Sequence, residues 1–321
     1  MKYNAVFTSG KKDLYIKESN INKTKEKFIK MLNSGVCGTD KHVIKGDIID
    51  AKLPRTLGHE NVGELNGERF VWPAIIPCGK CDECRTGRPN RCIKNQVFGL
   101  TADDVRVGGW SEFTPLPEGT VLYKVPDEIA NENAVLIETI ASTKSLHNIG
   151  LKGKSVLVVG SGAIGLVGAI HAKLMGAEYI AMVGHRQQIA LLGKIVDKNY
   201  EKNVDSDMIG EKFDIVYDAG GNPDSCAYSI KMVKPFGTVI ESLCMPHRFE
   251  IDLNPVMEKE VKIITQFGYT PGDFIWAIKL IREDQGYFSK VISHRFRLDE
   301  TNKLLDTILN EMYGKIIISA Q

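Results

Sequence analysis

The feature that most limits the possible folds is an apolar run that ends in a glycine-rich turn. Residues 155–159 read Ser-Val-Leu-Val-Val, a GxGxxG turn occupies 160–165, and an apolar segment continues to Leu174. A short apolar strand, such a turn and a helix form the first half of a βαβ unit, and a second apolar run at 179–183 supplies the next strand. The pattern predicts a doubly wound α/β domain that binds a dinucleotide.

The second apolar run ends in Gly184-His185-Arg186 and not in an acidic residue. An NAD site needs a carboxylate there for the adenosine-ribose hydroxyls, whereas a glycine leaves room for a 2′-phosphate whose charge the two basic residues can meet. We therefore expect NADP to be favoured over NAD; two exposed basic loop residues are the alternative interpretation. The residues expected to contact the cofactor are Gly160, Gly162, Ala163, Ile164, Gly165, His185 and Arg186.

Four of the seven cysteines lie within one short segment, 78–92, with gaps of two, two and seven residues. Four thiolates can close a tetrahedron around zinc, and a site with no open position is structural. Reduced thiols without a metal are an alternative, as is an iron–sulfur cluster, although the ferredoxin run has a gap of three before its last cysteine. The expected ligands are Cys78, Cys81, Cys84 and Cys92, with their thiolates stabilised by Lys80, Arg85, Arg88 and Arg91.

Upstream of this segment, two short runs combine residue types that suit a second metal. They are Cys37-Gly-Thr39-Asp40-Lys-His42 and Gly58-His59-Glu60. Taken singly, a cysteine is more often a buried packing residue and a histidine a satisfied core residue. A thiolate, an imidazole and a carboxylate together can nevertheless hold a catalytic zinc that keeps one exchangeable position.

Taken together, these runs, the four-cysteine segment and the glycine-rich turn resemble the medium-chain, zinc-dependent alcohol and polyol dehydrogenases. The resemblance spans essentially the whole chain. It implies a GroES-like, partly open β-barrel catalytic domain at 1–147, to which 285–321 return, and a Rossmann domain at 148–284. It also implies two zinc ions per chain and a homodimer or homotetramer.

The resemblance assigns roles to individual residues. Cys37 and His59 correspond to zinc ligands, Asp40 to the acceptor that orients the histidine, and Thr39 and His42 to a relay for the substrate proton. Glu138 matches the glutamate of the polyol branch, although Thr139 stands where that branch has proline. Glu60 corresponds to a direct or near ligand in the sorbitol-type branch and to a residue behind the metal in ethanol-type members, so its role stays open. The set expected at the catalytic zinc is Cys37, His59, Glu60 and Glu138.

The expected activity is hydride transfer between NAD(P) and the secondary alcohol of a polyol, sugar or sugar derivative. Alternatives are an alcohol dehydrogenase or aldehyde reductase acting on simpler alcohols, and a nonenzymatic zinc- and nucleotide-binding module. The net charge of +1 gives no field that would gather nucleic acid or an anionic membrane. With 43% apolar and 25% charged residues, the chain has an ordinary globular composition. We expect a cytosolic protein without nucleic-acid or membrane partners.

The remaining cysteines and four histidines lack a ligand-like spacing, and we interpret them as buried packing residues. They are Cys226, Cys244, His147, His171, His247 and His294.

Overall fold

The computed structural model describes residues 1–48, 50–242, 249–311 and 314–320. The strands are β1 (Lys2–Thr8), β2 (Tyr15–Asn20), β3 (Phe28–Val36), β4 (Arg55–Thr56), β5 (Asn61–Leu65), β6 (Glu68–Val71), β7 (Ile75–Ile76), β8 (Gln96–Val97), β9 (Phe113–Pro115), β10 (Tyr123–Lys124), β11 (Ser155–Val159), β12 (Tyr179–Gly184), β13 (Lys198–Glu201), β14 (Phe213–Asp218), β15 (Val233–Glu241), β16 (Lys262–Thr265), β17 (Ile292–Arg297) and β18 (Lys315–Ser319). The helices are α1 (Gly38–Lys45), α2 (Asp82–Arg85), α3 (Asn131–Ala141), α4 (Ser145–Asn148), α5 (Ala163–Leu174), α6 (Arg186–Ile189), α7 (Pro223–Met232), α8 (Asn254–Glu258), α9 (Pro271–Glu283), α10 (Gln285–Phe288) and α11 (Thr301–Asp306).

The chain divides into two compact units. Unit 1 comprises Met1–Ala141 and Gly268–Gln321, and unit 2 comprises Ser142–Phe267. The division differs from the boundaries expected after residues 147 and 284. The physical reason is α9, whose buried face includes Phe274 and Leu280 and which packs on α3 in unit 1.

Unit 2 contains a six-stranded parallel sheet in the order β13-β12-β11-β14-β15-β16. This order is typical of a doubly wound domain, the class that the βαβ pattern predicts. Its central strand β11 is buried over Val156–Val159, because helices cover both faces of a parallel sheet and an apolar run fits such a position. The sequence analysis did not identify β13, whose Lys-Asn-Tyr-Glu sequence is mostly exposed at the sheet edge and lacks an apolar run.

Unit 1 is built mainly on antiparallel strands, although β17 and β18 pair in parallel. Its larger sheet runs β10-β6-β5-β3-β18-β17, with β9 also paired to β3, and a second sheet runs β2-β1-β4. β5 and β6 form a hairpin whose turn residues, Asn66 and Gly67, both have positive φ, as a tight two-residue hairpin turn requires. β18 brings the end of the chain beside β3, because Ile316 pairs with Val36.

A buried cluster under α1 fixes that helix against the sheet. It includes Val43 and Ile44 of the helix, Val36 of β3, and Ile316 and Ile318 of β18. α1 is therefore held by residues from both ends of the chain. Because Cys37 precedes this helix, the same packing fixes the position of the cysteine.

Two further findings concern predictions made from composition and single residues. Among the described residues, no helix combines the length and the apolar character needed to cross a membrane. The interpretation of Cys226 and His171 as buried residues is confirmed, whereas His147 and His294 are only half-buried. Cys244 and His247 lie outside the described residues.

Candidate functional site

The four cysteines of segment 78–92 form a compact group, here called the lobe cluster. Their four sulfur atoms all lie within 4.8 Å of one another, and the residues are Cys78, Cys81, Cys84 and Cys92. Gly79 and Gly87, both with positive φ, turn the backbone around them. The Cys92 sulfur accepts backbone N–H groups from Cys78 at 3.3 Å and Lys94 at 3.4 Å. Four sulfurs in this arrangement fit a tetrahedral zinc ion.

The basic residues around the lobe cluster interact with carboxylates. Arg85 pairs with Asp82, and Arg88 pairs with Glu83 at 2.7 Å. These two arginines therefore neutralise neighbouring acids, in contrast to the expectation that they stabilise the thiolates. The Cys92 sulfur is contacted instead by backbone N–H groups, which favour the charged form of an acceptor.

A second group, here called the dispersed cluster, consists of Cys37, His59 and Glu60. One ligand atom from each lies within 4.8 Å of the other two. Cys37 follows β3, and the other two residues precede β5, the neighbour of β3 in the sheet. A soft thiolate, an imidazole and a carboxylate at this spacing could hold zinc.

The Asp40 carboxylate lies next to two members of the dispersed cluster, Cys37 and His59. This carboxylate is 1% exposed, accepts the backbone N–H of Cys37 at 2.8 Å and lies 3.7 Å from Nδ1 of His59. Burial alone disfavours the charged imidazolium, but the Asp40 carboxylate, together with the hydrogen bond to Cys37 and the charges of Cys37 and Glu138, raises the pKa of His59 well above its ordinary value. A carboxylate on Nδ1 leaves Nε2 as the ligand nitrogen.

Glu60 is held by partners that the sequence analysis did not identify as site residues. Lys315 donates from Nζ to both of its carboxylate oxygens, and Thr139 donates from Oγ1 at 3.1 Å. Lys315 and Glu60 are each 1% exposed, so this ion pair is removed from water. Gly35 makes room for the carboxylate, because a Cβ there would lie 2.1 Å from Glu60 Oε2. The only sequence signal for Lys315 is a lone charge at the start of an apolar strand.

Glu138 lies near the dispersed cluster but is not a member of the three-residue group. It is half-buried on α3 and forms a side-chain hydrogen bond with Tyr269, whose hydroxyl accepts the Ala74 N–H at 2.9 Å. Removal from water, followed by the nearby Glu60 carboxylate, raises the pKa of Glu138 to about 7. The structure thus separates the two glutamates: Glu60 is paired to a cation, and Glu138 to a phenol.

The two expected relay residues lie on α1. The Cys37 thiol lies 3.8 Å from the Thr39 hydroxyl, which places Thr39 beside the dispersed cluster. His42 is exposed at the last turn of the helix, and its Nδ1 lies 3.0 Å from Asp47 Oδ2. Thr39 therefore lies next to the candidate ligands and His42 in contact with solvent.

The glycine-rich turn of unit 2 has the backbone features expected of it. Gly160 has φ of +102°, and a Cβ there would lie 2.8 Å from the Ala219 carbonyl. Gly165 approaches the Gly160 carbonyl so closely that a Cβ would lie 2.0 Å from its oxygen. At Gly162, which precedes α5, no atom of the described residues lies within 4 Å of such an added Cβ, so the chain leaves space at the start of this helix, the end that attracts anions.

The remaining expected cofactor residues surround this turn or follow β12. Ala163 and Ile164 open α5 and are half-buried. His185 and Arg186 directly follow the last residue of β12 and are exposed.

Comparison with known proteins links both units to one family. Residues 23–127 match the model of the alcohol dehydrogenase GroES-like domain, and residues 163–283 match that of the zinc-binding dehydrogenase. L-threonine 3-dehydrogenase of Rhizobium etli is 29% identical over 91% of this chain and 90% of its own.

Solved structures agree on the fold. L-idonate 5-dehydrogenase of Escherichia coli has a TM-score of 0.87 at 20% identity, covering 99% of this chain and 98% of its own. A zinc-binding dehydrogenase of Sinorhizobium meliloti, solved with NADP, has a TM-score of 0.86 at 22% identity and covers 99% of both chains. These likenesses bear out the predicted combination of a GroES-like domain with a Rossmann-like parallel sheet.

Proposed function

Because the chain belongs to the medium-chain zinc-dependent alcohol dehydrogenase family, we propose that it transfers a hydride between NADP and a secondary alcohol of a polar, polyhydroxylated substrate. The observation that carries the proposal is the dispersed cluster. It combines Cys37, His59 and Glu60 within ligand distance of one another, with Thr39 beside the thiol.

The donor atoms of the dispersed cluster fit a catalytic zinc. We infer that Cys37 and His59 hold the ion, and that Glu138 or Glu60 supplies the carboxylate that adjusts its charge. When bound, zinc supplies the Lewis acidity that lowers the proton affinity of an alcohol oxygen. Glu60 lies within ligand distance of Cys37 and His59 but is paired with Lys315, whereas Glu138 lies outside that group and is hydrogen-bonded to Tyr269, so both carboxylates remain candidates.

The protein's own groups position the ligands and move the proton. Asp40 accepts the Cys37 N–H and faces Nδ1 of His59, which orients both ligands. Thr39 takes the proton of the substrate hydroxyl while it releases its own hydroxyl proton in the direction of His42. His42, exposed and beside Asp47, takes up that proton and returns it to solvent.

The lobe cluster takes the structural part in this proposal. Its four sulfurs offer no open position, so we infer a second zinc that holds segment 78–92 in place. The two proposed zinc ions therefore differ in role: one shapes a loop, and the other takes part in the reaction.

We infer NADP as the preferred cofactor from the absence of an acidic residue at the end of β12 and the exposed His185 and Arg186. The Sinorhizobium protein, of the same fold and solved with NADP, supports this inference. A homo-oligomer is proposed as well. In the described part of unit 2, β16 has no strand on its outer side, and an exposed edge can pair with a second copy.

The substrate class rests on the hydrophilic, carboxylate-containing surroundings of the dispersed cluster. Two glutamates near the proposed metal suit a substrate with adjacent hydroxyl groups better than a simple aliphatic alcohol. The idonate enzyme, which has the same fold, is named for a sugar acid. This name supports a polyhydroxylated substrate for the present protein. L-Threonine is the second candidate, because the Rhizobium relative is named for it and it also carries a secondary alcohol.

A cytosolic location is proposed, since the described cysteines are all free.

A substrate panel tests the proposal directly. The zinc-loaded protein is incubated with NADP or NAD and with polyols, sugar acids, sugar phosphates, L-threonine, ethanol or 2-propanol, and nicotinamide reduction is followed by absorbance. We expect turnover with at least one polyhydroxylated compound, and at most weak turnover with ethanol. Turnover confined to L-threonine would select the second candidate, and no turnover with any alcohol would contradict both.

A further inference from the structure

Unit 1 carries a surface groove with a volume of about 1510 Å³, here called the unit 1 groove. Its lining comes from segments 25–30, 64–66, 76–78, 94–107 and 113–122, all of which belong to unit 1. The lobe cluster contributes Cys78, whereas no described residue of the dispersed cluster lines the groove. Pockets for small ligands usually measure about 300–1,000 Å³, so this larger groove suits a segment of a macromolecule.

The apolar part of the lining is held in place from beneath. Phe28 and Phe113 are half-buried, and their rings meet edge to face with centroids 5.9 Å apart. Both pack against one buried cluster of unit 1, and the half-buried Leu116 and Leu122 pack against another. Because these side chains are already ordered, covering their exposed parts costs little further conformational entropy.

Lysines supply the charge at the edge of the unit 1 groove. Lys25, Lys27 and Lys94 are exposed lining residues, and no ion pair found among the described residues includes them. Lys30 also lines the groove, but it stands opposite Glu64 in the register of β3 and β5. These two charges offset each other, so the other three lysines determine the sign of the field.

Most acidic residues of the groove are neutralised by neighbours. Glu26 and Asp104 both pair with Arg106, and Asp103 pairs with a lysine outside the groove. Glu118 is the remaining acid among the described lining residues, so three lysines face one glutamate. This balance favours an acidic occupant. A nucleic acid fits less well, because its regularly spaced phosphates would also meet the carboxylates of the lining.

We propose that the unit 1 groove binds an extended segment of a partner protein in which acidic and apolar residues are interspersed. The apolar side chains of that segment cover Phe28, Phe113 and the two leucines, and its carboxylates face the lysines. A polypeptide can place charge only where the lysines are, which a uniform polyanion cannot do. The inference goes beyond the proposed function and is independent of it, because the groove and the dispersed cluster share no described residue.

Binding of synthetic peptides to the zinc-loaded protein tests the proposal without turnover. The probe is a fluorescent peptide of repeated Glu-Ser-Leu-Ser, and its affinity is measured by anisotropy. One control peptide carries lysine for glutamate, a second carries serine for leucine, and an oligothymidylate represents nucleic acid. We expect the probe to bind at least about tenfold more tightly than each of the three, and to weaken as salt screens the lysines.

The double variant Lys25→Glu/Lys27→Glu reverses two charges of the groove. Both side chains are exposed, so the thermal midpoint should stay unchanged while the probe binds about tenfold more weakly. Lys152→Glu/Lys154→Glu is the matched control, because these two exposed lysines have the same spacing and do not line the groove. It should bind the probe like the wild type. A photoreactive group at a leucine position of the probe should cross-link to segments 25–30 or 113–122.

The contrary results are distinct from one another. Equal affinity for the glutamate and lysine peptides, or equal loss in the two double variants, would overturn the role of the lysines. Tighter binding of the oligothymidylate would assign the groove to nucleic acid and overturn a peptide partner. Absence of binding, or cross-links confined to other segments, would overturn the site itself. A protein that binds the probe but oxidises no alcohol would leave this inference intact and contradict the proposed function alone.

Discussion

The lobe cluster and the dispersed cluster differ in how the chain brings their ligand atoms together. The lobe cluster takes all four sulfurs from residues 78–92, on a four-residue helix and glycine turns, and no residue of that helix is buried. The dispersed cluster takes its ligands from the ends of separate strands, and two of its three residues are buried. A short loop can close around an ion by itself, whereas separate strands must first be packed together.

The difference extends to the electrostatics. In the lobe cluster, the sulfurs accept backbone N–H groups and the surrounding charges pair at the surface. In the dispersed cluster, buried charges pair with one another: Asp40 faces His59, and Lys315 binds Glu60. Buried charges are tolerated only when paired, so the dispersed cluster depends on side chains that are not ligands.

The largest expected effect comes from removing one sulfur of each cluster. Cys37→Ser should reduce turnover by about a thousandfold or more, since the Lewis acidity of a catalytic zinc contributes several kcal/mol. Zinc content should fall from two to one per chain, with the lobe metal retained. Cys84→Ser should lose the other zinc and make segment 78–92 sensitive to protease. Turnover and metal analysis check both variants; loss of both metals from Cys37→Ser would contradict the independence of the clusters.

The next effect concerns the buried ion pair. Lys315→Met should lower the free energy of unfolding by about 3–5 kcal/mol, because Glu60 is left buried without its cation. The double variant Glu60→Gln/Lys315→Met should regain most of this loss, since a neutral amide can still accept the Thr139 hydroxyl. Urea denaturation of the zinc-loaded protein measures the change.

Lys303→Met is the matched control, because it removes an exposed lysine whose partner Glu300 remains in water. It should leave the unfolding transition unchanged. Equal losses in Lys315→Met and Lys303→Met would mean that the dispersed cluster does not depend on a buried pair.

The smallest expected effect is on metal affinity. Asp40→Asn keeps the acceptor on the Cys37 N–H but removes the negative charge beside His59, and it should weaken the catalytic zinc by about 10–100-fold. The lobe zinc should keep its affinity. Competition with a chelator measures both, and Asp103→Asn, at an exposed carboxylate paired with Lys52, serves as the control. Equal weakening of both metals would contradict a local role for Asp40.

Much of the fold could be predicted because its signals are local. The strand β11 and its glycine turn appear as a continuous run, and a doubly wound parallel sheet is predicted from such a unit. β13 was missed because an exposed edge strand needs no apolar residues. The return of α9 to unit 1 was missed because the packing of its apolar face on α3 is a contact between distant segments.

The features of the candidate site also fall into two groups, those that the sequence shows and those that depend on contacts between distant residues. The residue types at Cys37, His59 and the four cysteines, and the lack of an acid at Gly184, are properties of the sequence, because chemistry and short spacing can be read directly. The pairing of Glu60 with Lys315 and the assembly of the unit 1 groove were decided only by the tertiary structure. Their components lie far apart in the chain, and no periodicity or spacing encodes which distant side chain will neutralise a buried charge or line a given groove.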